Sequence, residues 1–477
     1  MPPSLIYRPS SRHADLGEAF FDPVDAASFP THLLRFRNQR WAQRVGLDTL
    51  TDAEWLDHFG RFVPLPDNLG RPLALRYHGH QFQVYNPELG DGRGFLFAQL
   101  HDSIDGRLLD LGTKGSGRTP WSRGGDGRLT LKGGVRELLA SEQLEALGVD
   151  TSKTFSLIET GEALHRHDEP SPTRAAVLVR LSHSHIRIGT FQRLAYHEET
   201  SQLSRLLEHA VRTYMPELWR DDEAVRAVAF LERVCANVAR TAAQWMTAGF
   251  VHGVLNTDNI NITGESFDYG PWRFLPTYDP GFTAAYFDHS GLYAYGRQPA
   301  TLLWNLTRLA ECLLPLTAQA DLERTLQSFA GVFQRELAIA VLRRLGLQPA
   351  GDEADNALVT ELFAFLDATK APFERVFFDW YGGVDSTRRA SLSPSADLYV
   401  SPAFAPVRAA LEQHEAIDGI GTDHPYFSGG APCTMLIDEV EAIWAPIAQA
   451  DDWSALTAKL SQIAQLRAAC GDRSEVA

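Results

Sequence analysis

Apolar residues recur at two different periods along this 477-residue chain, and the change from one to the other divides it. Between about 71 and 190, short apolar runs alternate with glycine-rich turns. They are Leu73 to Leu75, Phe95 to Leu100, Leu108 to Leu111 and Ala176 to Leu181. Runs of this length bounded by turn residues predict strands of a twisted sheet. One helix interrupts them, where Val135, Leu138, Leu139 and Leu144 keep helical spacing and Gly148 ends the run. After about 200 the period lengthens. Glu223 to Ala248 places Val228, Leu231, Cys235, Val238, Ala242 and Trp245 at steps of three and four, then stops at Gly249. A short strand is expected at Ile260 to Thr263, and helical patterns run from Thr301 to Leu345 and onward. Residues 1 to 70 read as irregular or helical, punctuated by Pro64-Leu65-Pro66, and the tail from 471 is expected to fray.

The expected fold class is therefore α+β. It has an N-terminal segment (1–70), a sheet-rich lobe (71–200), a helical lobe (201–330) and a helical C-terminal extension (331–477). A ligand site is expected between the lobes, where water can be excluded.

Composition narrows the partners. The sequence is 44% hydrophobic and 22% charged, ordinary for a folded protein. Sixty acidic residues against 44 Lys and Arg leave a formal charge of −16, which repels nucleic acid and anionic lipid. No apolar stretch reaches the roughly 20 residues of a membrane helix. Asp15 and Glu18 sit where a secretory signal would be apolar. Cys235, Cys312, Cys433 and Cys470 form no CxxC pair, so neither a zinc site nor a disulfide framework is expected. A reducing cytoplasm fits these features, and a monomer is the default expectation.

Three segments carry candidate chemistry. Gly90-Asp91-Gly92-Arg93-Gly94 precedes a strand, and its glycines could bring backbone N–H groups close to phosphate; the same string is also a good hairpin turn. Lys114, at a strand end, is followed by a glycine-rich stretch through Asp126-Gly127-Arg128 and by Glu137 on the helix. This does not match a Walker loop, but in kinase-like folds a strand lysine paired with a helix glutamate holds nucleotide phosphates. Glu142 is a rival for the role of Glu137. The third segment runs from Gly249 to Asn259, followed by Asp268-Tyr269-Gly270. His252, Asn259 and Asp268 fit the His, the metal-binding Asn and the metal-binding Asp of a kinase catalytic loop and DFG motif. Their oxygens suit a hard cation such as Mg²⁺ or Mn²⁺. The position of the kinase base falls on Val254, which accepts no proton, and Asp258 is the nearest carboxylate. Arg180 and Arg187 could neutralise a triphosphate. Their odd spacing of seven requires a turn or bulge between them.

Taken together, these strings closely resemble the SelO family of protein adenylyltransferases with a pseudokinase fold. The resemblance rests on Tyr77 to Phe82, Leu89 to Arg93, Lys114 to Gly117 with Thr119-Pro120, Ser122-Arg123, Asp126 to Arg128, Arg136-Glu137, Ser141-Glu142, and Gly249 to Asn259 with Asp268 to Pro271. It covers residues 70 to 315 well and the remainder loosely. It implies a protein-kinase-like two-lobed fold in which ATP lies reversed and AMP passes to Ser, Thr or Tyr hydroxyls of acceptor proteins. Gly90, Gly92, Arg93, Lys114, Asp126, Gly127, Arg180 and Arg187 resemble the family's nucleotide contacts, with Glu137 as the partner of Lys114. Asp258 resembles its proton acceptor, and Asn259 and Asp268 its Mg²⁺ ligands. Ala284 stands where many relatives carry a Cys, so the redox latch proposed for the family lacks a partner here. Uridylyl transfer from UTP with Mn²⁺, phosphoryl transfer (disfavoured by Val254) and a non-catalytic nucleotide-binding scaffold are the alternative functions.

Overall fold

A computed structural model describes residues 4–167 and 169–471, so the tail expected to fray falls, beyond 471, outside the described residues. The chain forms a mixed α+β structure around one large antiparallel sheet. In chain order its elements begin with β1 (Pro9–Ser10), β2 (Phe21–Pro23), β3 (Leu33–Arg37), α1 (Gln39–Arg44), α2 (Asp52–Phe59) and β4 (Leu73–Leu75). The small hairpin β5 (Gly79–Gln81) and β6 (Val84–Asn86) follows. Then come β7 (Leu96–His101), β8 (Leu108–Lys114), β9 (Leu129–Thr130), α3 (Leu131–Ala146), β10 (Lys153–Leu164) and β11 (Thr173–Ser182). The sheet order is β2-β4-β7-β8-β11-β10-β3, with β1 paired to β7 and β9 to β11.

Beyond the sheet lie α4 (Ile188–Tyr196), α5 (Thr200–Tyr214), α6 (Glu223–Ala248), the ribbon β12 (Phe250–His252) with β13 (Trp272–Phe274), and α7 (Gln298–Leu313). Helices α8 (Gln319–Gln327), α9 (Phe329–Leu345), α10 (Asp352–Thr369) and α11 (Phe373–Asp379) continue the chain. Short helices α12 (Thr387–Ser391), α13 (Ala396–Tyr399), α14 (Ala405–Leu411) and α15 (Pro425–Ser428) lead to α16 (Ile437–Ala450) and α17 (Ser454–Cys470).

Two expectations change. The first 70 residues are not merely irregular or helical, because β2 and β3 close the two ends of the main sheet. Their strands are short, and β3 alternates around charged Arg35 and Arg37, so their apolar pattern is faint. Ile260 to Thr263 is not a strand. Asn261 makes a single bridge to Arg187, enough to dock the segment but not to form a ladder.

Helix α3 matters most for the site. Its Leu138, Leu139 and Leu144 are wholly buried, each worth about 1.5–3 kcal/mol by removal from water. The C-terminal segment covers its other side: Arg467 of α17 pairs with Glu142 at 2.7 Å, and Gln143 donates to the Cys433 carbonyl at 3.0 Å. Glu142 is thus committed to Arg467, and Glu137 is left for Lys114. At the C-terminus of α6, Gly249 takes φ +62°, the left-handed conformation that ends a helix with little steric cost to glycine.

A polar knot is buried beside the sheet. Asp110 on β8 accepts from Gln99 Nε2 at 2.7 Å and from the His185 backbone N–H at 2.9 Å. Burial pushes His13 down to about 3, and His183 and His209 down to about 4. These imidazoles stay neutral in the folded protein while the unfolded chain takes up protons below the ordinary value of about 6.5. Folding stability is therefore expected to fall as pH drops from about 6.5 towards 4. Asp258, pushed up to about 7, works in the opposite direction but is outnumbered. Urea midpoints measured at pH 7.5 and pH 5 check this, and a midpoint that stayed level or rose in acid would contradict it.

Candidate active site

Lys114 ends β8, and its ammonium lies in a close ion pair with Glu137 on α3. It also donates to Asp268 Oδ1 at 2.7 Å. Arg180, on β11 opposite Gly112, donates to the same oxygen at 3.2 Å. Burial works against ionisation of Asp268, but Lys114 and Arg180, with Arg93 adding, hold its carboxyl well below the usual range. Its backbone sits at φ +62°, uncommon for a residue with a side chain, so the carboxylate is aimed at the cations at some backbone strain.

The odd spacing of Arg180 and Arg187 is resolved by a turn. Strand β11 ends at Ser182, the chain passes through residues 183–186, and Arg187 precedes α4. The turn is held down by Asp110 and by the His185 ring, which lies so close to Gly112 that a Cβ there would sit 2.3 Å from Nε2. Arg187 donates to Asp91 Oδ1 at 3.0 Å and lies 4.1 Å over the Tyr77 ring. Arg180 and Arg187 also face the ring of Phe267, at 5.1 and 5.4 Å. The Nε of each arginine is buried with no partner among the described residues.

The catalytic-loop candidates sit on a turn of 3-10 helix, Thr257–Asn259. Asn259 Nδ2 donates to the Val254 carbonyl at 3.0 Å, which leaves its Oδ1 available. His252 is a positioning residue: its Nε2–H donates to the Phe267 carbonyl at 3.1 Å and its Nδ1 accepts from the Val254 N–H at 3.3 Å. It thereby joins the loop of Asn259 to the segment of Asp268. Asp258 differs from every other carboxylate in the cleft. Its Oδ1 is buried and has no hydrogen-bond partner among the described residues. Burial pushes the group up to about 7, with the Arg187 charge only partly opposing. Asp258 fits there because residue 79 is glycine; a Cβ at that position would stand 3.0 Å from Oδ1.

The glycines of the first segment are explained by packing. A Cβ on Gly90 would meet the Trp121 ring at 2.4 Å, one on Gly92 the Trp121 carbonyl at 2.8 Å, and one on Gly94 the Thr113 carbonyl at 2.0 Å. The 90–94 segment therefore lies directly on the 113–122 segment, stitched by Gly115 N–H to the Arg93 carbonyl at 2.7 Å. Gly127 takes φ +70°, and its neighbour Asp126 pairs with Arg166 at 2.8 Å. Asp126 is thus tied to Arg166 and buried Gly127 to the Gly117 backbone, whereas Glu137, Lys114, Asp268 and Arg180 form one continuous chain of ion pairs.

Sequence reasoning missed Asp91 as the anchor of Arg187, Tyr77 beneath it, and Gly79 beside Asp258. Asp91 lay inside the string already singled out. The other two belong to Tyr77 to Phe82, which entered only as one of the strings shared with the family. Beyond these residues, His80 N–H donates to Thr257 Oγ1 at 2.7 Å and Phe82 N–H to Asn256 Oδ1 at 3.2 Å. Hairpin β5–β6 therefore braces the loop that carries Asp258 and Asn259.

Lys114, Arg180 and Arg187, with the charge of Arg93 reaching Asp268, gather among four carboxylates: Glu137, Asp268 and Asp91 are paired, while Asp258 keeps one buried oxygen without a partner among the described residues. Cations gathered this way suit a phosphate-bearing anion. Comparison with known proteins agrees with the motifs. The model of the family described as protein adenylyltransferase SelO matches residues 4–464. A protein nucleotidyltransferase YdiU of Synechocystis is 44% identical over 470 residues, covering 94% of this chain and 96% of the relative. One from Gloeobacter violaceus is 45% identical over 465 residues, 94% and 93% of the two chains. One from Vibrio vulnificus is 36% identical over 369 residues, 77% and 74%. The chain belongs to the SelO family.

Proposed function

We propose that this protein is an adenylyltransferase that binds ATP reversed in a kinase-like cleft and moves AMP to Ser, Thr or Tyr hydroxyls of other proteins. The observation that carries the reading is the position of the proton acceptor. Val254 occupies the place of a kinase base, with its N–H bound by His252 and its carbonyl by Asn259. Asp258 offers instead a carboxylate oxygen that no group claims among the described residues. The family match and the names of its relatives support nucleotidyl transfer to protein.

In this reading the acceptor hydroxyl attacks the α-phosphorus as its proton passes to Asp258. The bond from that phosphorus to the oxygen bridging the β-phosphate breaks, and pyrophosphate leaves with the electron pair. Lys114, fixed by Glu137, and Arg180 and Arg187 neutralise the phosphate oxygens, so catalysis is mostly positioning and charge. Arg93, Gly90, Gly92, Asp126 and Gly127 line the nucleotide's path.

Asn259 Oδ1 and the Asp268 carboxylate are the oxygen donors that fit Mg²⁺ or Mn²⁺. Among the described residues no three His, Cys, Asp or Glu side chains gather as a metal cage, so an ion held there would take its remaining ligands from water and phosphate oxygens. Such an ion would supply Lewis-acid charge at the phosphate oxygens. No described helix is long and apolar enough to cross a membrane.

Donor choice is tested by competition. Equal ATP and UTP, with Mg²⁺ or Mn²⁺, are expected to give acceptor proteins that carry predominantly AMP. Predominant UMP would replace the adenylyl reading with the uridylyl one.

A further inference from the structure

Residue 136 precedes Glu137 on α3, and one residue turns a helix by about 100°, so the Arg136 side chain leaves the nucleotide cleft for a neighbouring face. There it meets β13, the strand that follows Asp268. Arg136 Nη2 donates to the Trp272 carbonyl at 3.3 Å, and Arg273 Nη1 donates to the same oxygen at 2.9 Å. Arg136 also lies 4.8 Å over the Trp272 indole. The N–H of that indole is buried and has no acceptor among the described residues.

This is a donor-rich spot without its counter-charge. Among the described residues neither guanidinium has a carboxylate within 4 Å, and Glu441, the acid whose charge reaches both, is held by Lys132 at 2.8 Å. Burial, with the like charge of Arg273 adding, pushes the Arg136 guanidinium down to about 10. Two half-buried arginines sharing one carbonyl repel each other, and one carbonyl does not balance two cations. A tetrahedral anion with several acceptor oxygens would satisfy both guanidinium forks together.

We propose that Arg136 and Arg273, gathered at the Trp272 carbonyl, form a receptor for a small free phosphate-bearing ligand, separate from the nucleotide cleft. Occupancy bridges α3 to β13. Glu137 lies next to Arg136 on α3, and Asp268 lies four residues before Trp272, so the bridge braces both partners of Lys114.

The test uses the full chain and inorganic phosphate as the probe, titrated at constant ionic strength set with chloride, with calorimetry and thermal melting as readouts. Arg187→Gln, which alters only the nucleotide cleft, is expected to keep the phosphate binding that Arg273→Gln loses, whatever phosphate the cleft itself takes up. Arg273→Gln and Arg136→Gln are expected to lose at least tenfold in phosphate affinity. Arg136→Gln alters a residue packed on α3, so half-exposed Arg273→Gln is the deciding variant. An unchanged phosphate response in folded Arg273→Gln, a loss confined to Arg187→Gln, or a parent response matched by chloride alone would each overturn the proposal. Because binding is read without any transfer reaction, failure here is distinct from failure of the proposed activity.

Discussion

Asp258→Ala is expected to cut nucleotide transfer by about 10² to 10⁴ while leaving the protein at least as stable as its parent. The two halves of that result come from one feature. A buried carboxylate oxygen with no partner costs stability, about 1–3 kcal/mol for an unsatisfied polar group. Alanine removes that oxygen, and the methyl group still fits beside Gly79. A residue that burdens the fold and is indispensable to the rate has the signature of a catalytic group. Transfer assays beside thermal melts measure both. Transfer at the parent rate would remove Asp258 from the base role. A large drop in melting temperature would make it a structural residue instead.

Asp268→Asn should act differently, abolishing transfer by about 10³ or more and also weakening the fold. Asp268 accepts from both Lys114 and Arg180 through one oxygen. Lys114 keeps Glu137 when that charge is lost, but Arg180 has no other carboxylate partner among the described residues. Breaking a buried ion network leaves an uncompensated charge at a cost of 3–5 kcal/mol. The Asp268 side chain keeps 29% of its surface exposed, so about 3 kcal/mol is the upper end. Asn tolerates φ +62° nearly as well as Asp, so the substitution isolates the charge from the backbone. Urea melts and transfer assays report the two effects. An Asn variant with parent activity would show that the carboxylate charge is not used.

Much of this was legible in the sequence where a local pattern and a tertiary role coincide. The apolar steps of Glu223 to Ala248 and the stop at Gly249 read as a helix and its cap because one face is buried along its whole length. Lys114 and Glu137 could be paired because a strand end and a helix are a recurrent geometry for phosphate. The strands of the first 70 residues were not legible. β2 and β3 are held by pairing with β4 and β10 rather than by their own alternation. The glycines of the 90–94 segment were read as phosphate-approaching or as a hairpin turn. Their immediate cause is contact with Trp121 and Thr113, which only the fold brings near. Val254 works in the opposite way: an apolar residue in a proton acceptor's place makes Asp258, the nearest carboxylate, the proposed base.

The central claim is that the cleft transfers AMP rather than phosphate, and mass spectrometry tests it most directly. The purified chain is incubated with ATP and Mg²⁺ or Mn²⁺ and protein acceptors, and intact and peptide masses are recorded. A gain of one AMP on a Ser, Thr or Tyr, absent with Asp268→Ala, is the expected result. A gain of one phosphate, or no gain under either metal with UTP also tried, would contradict it.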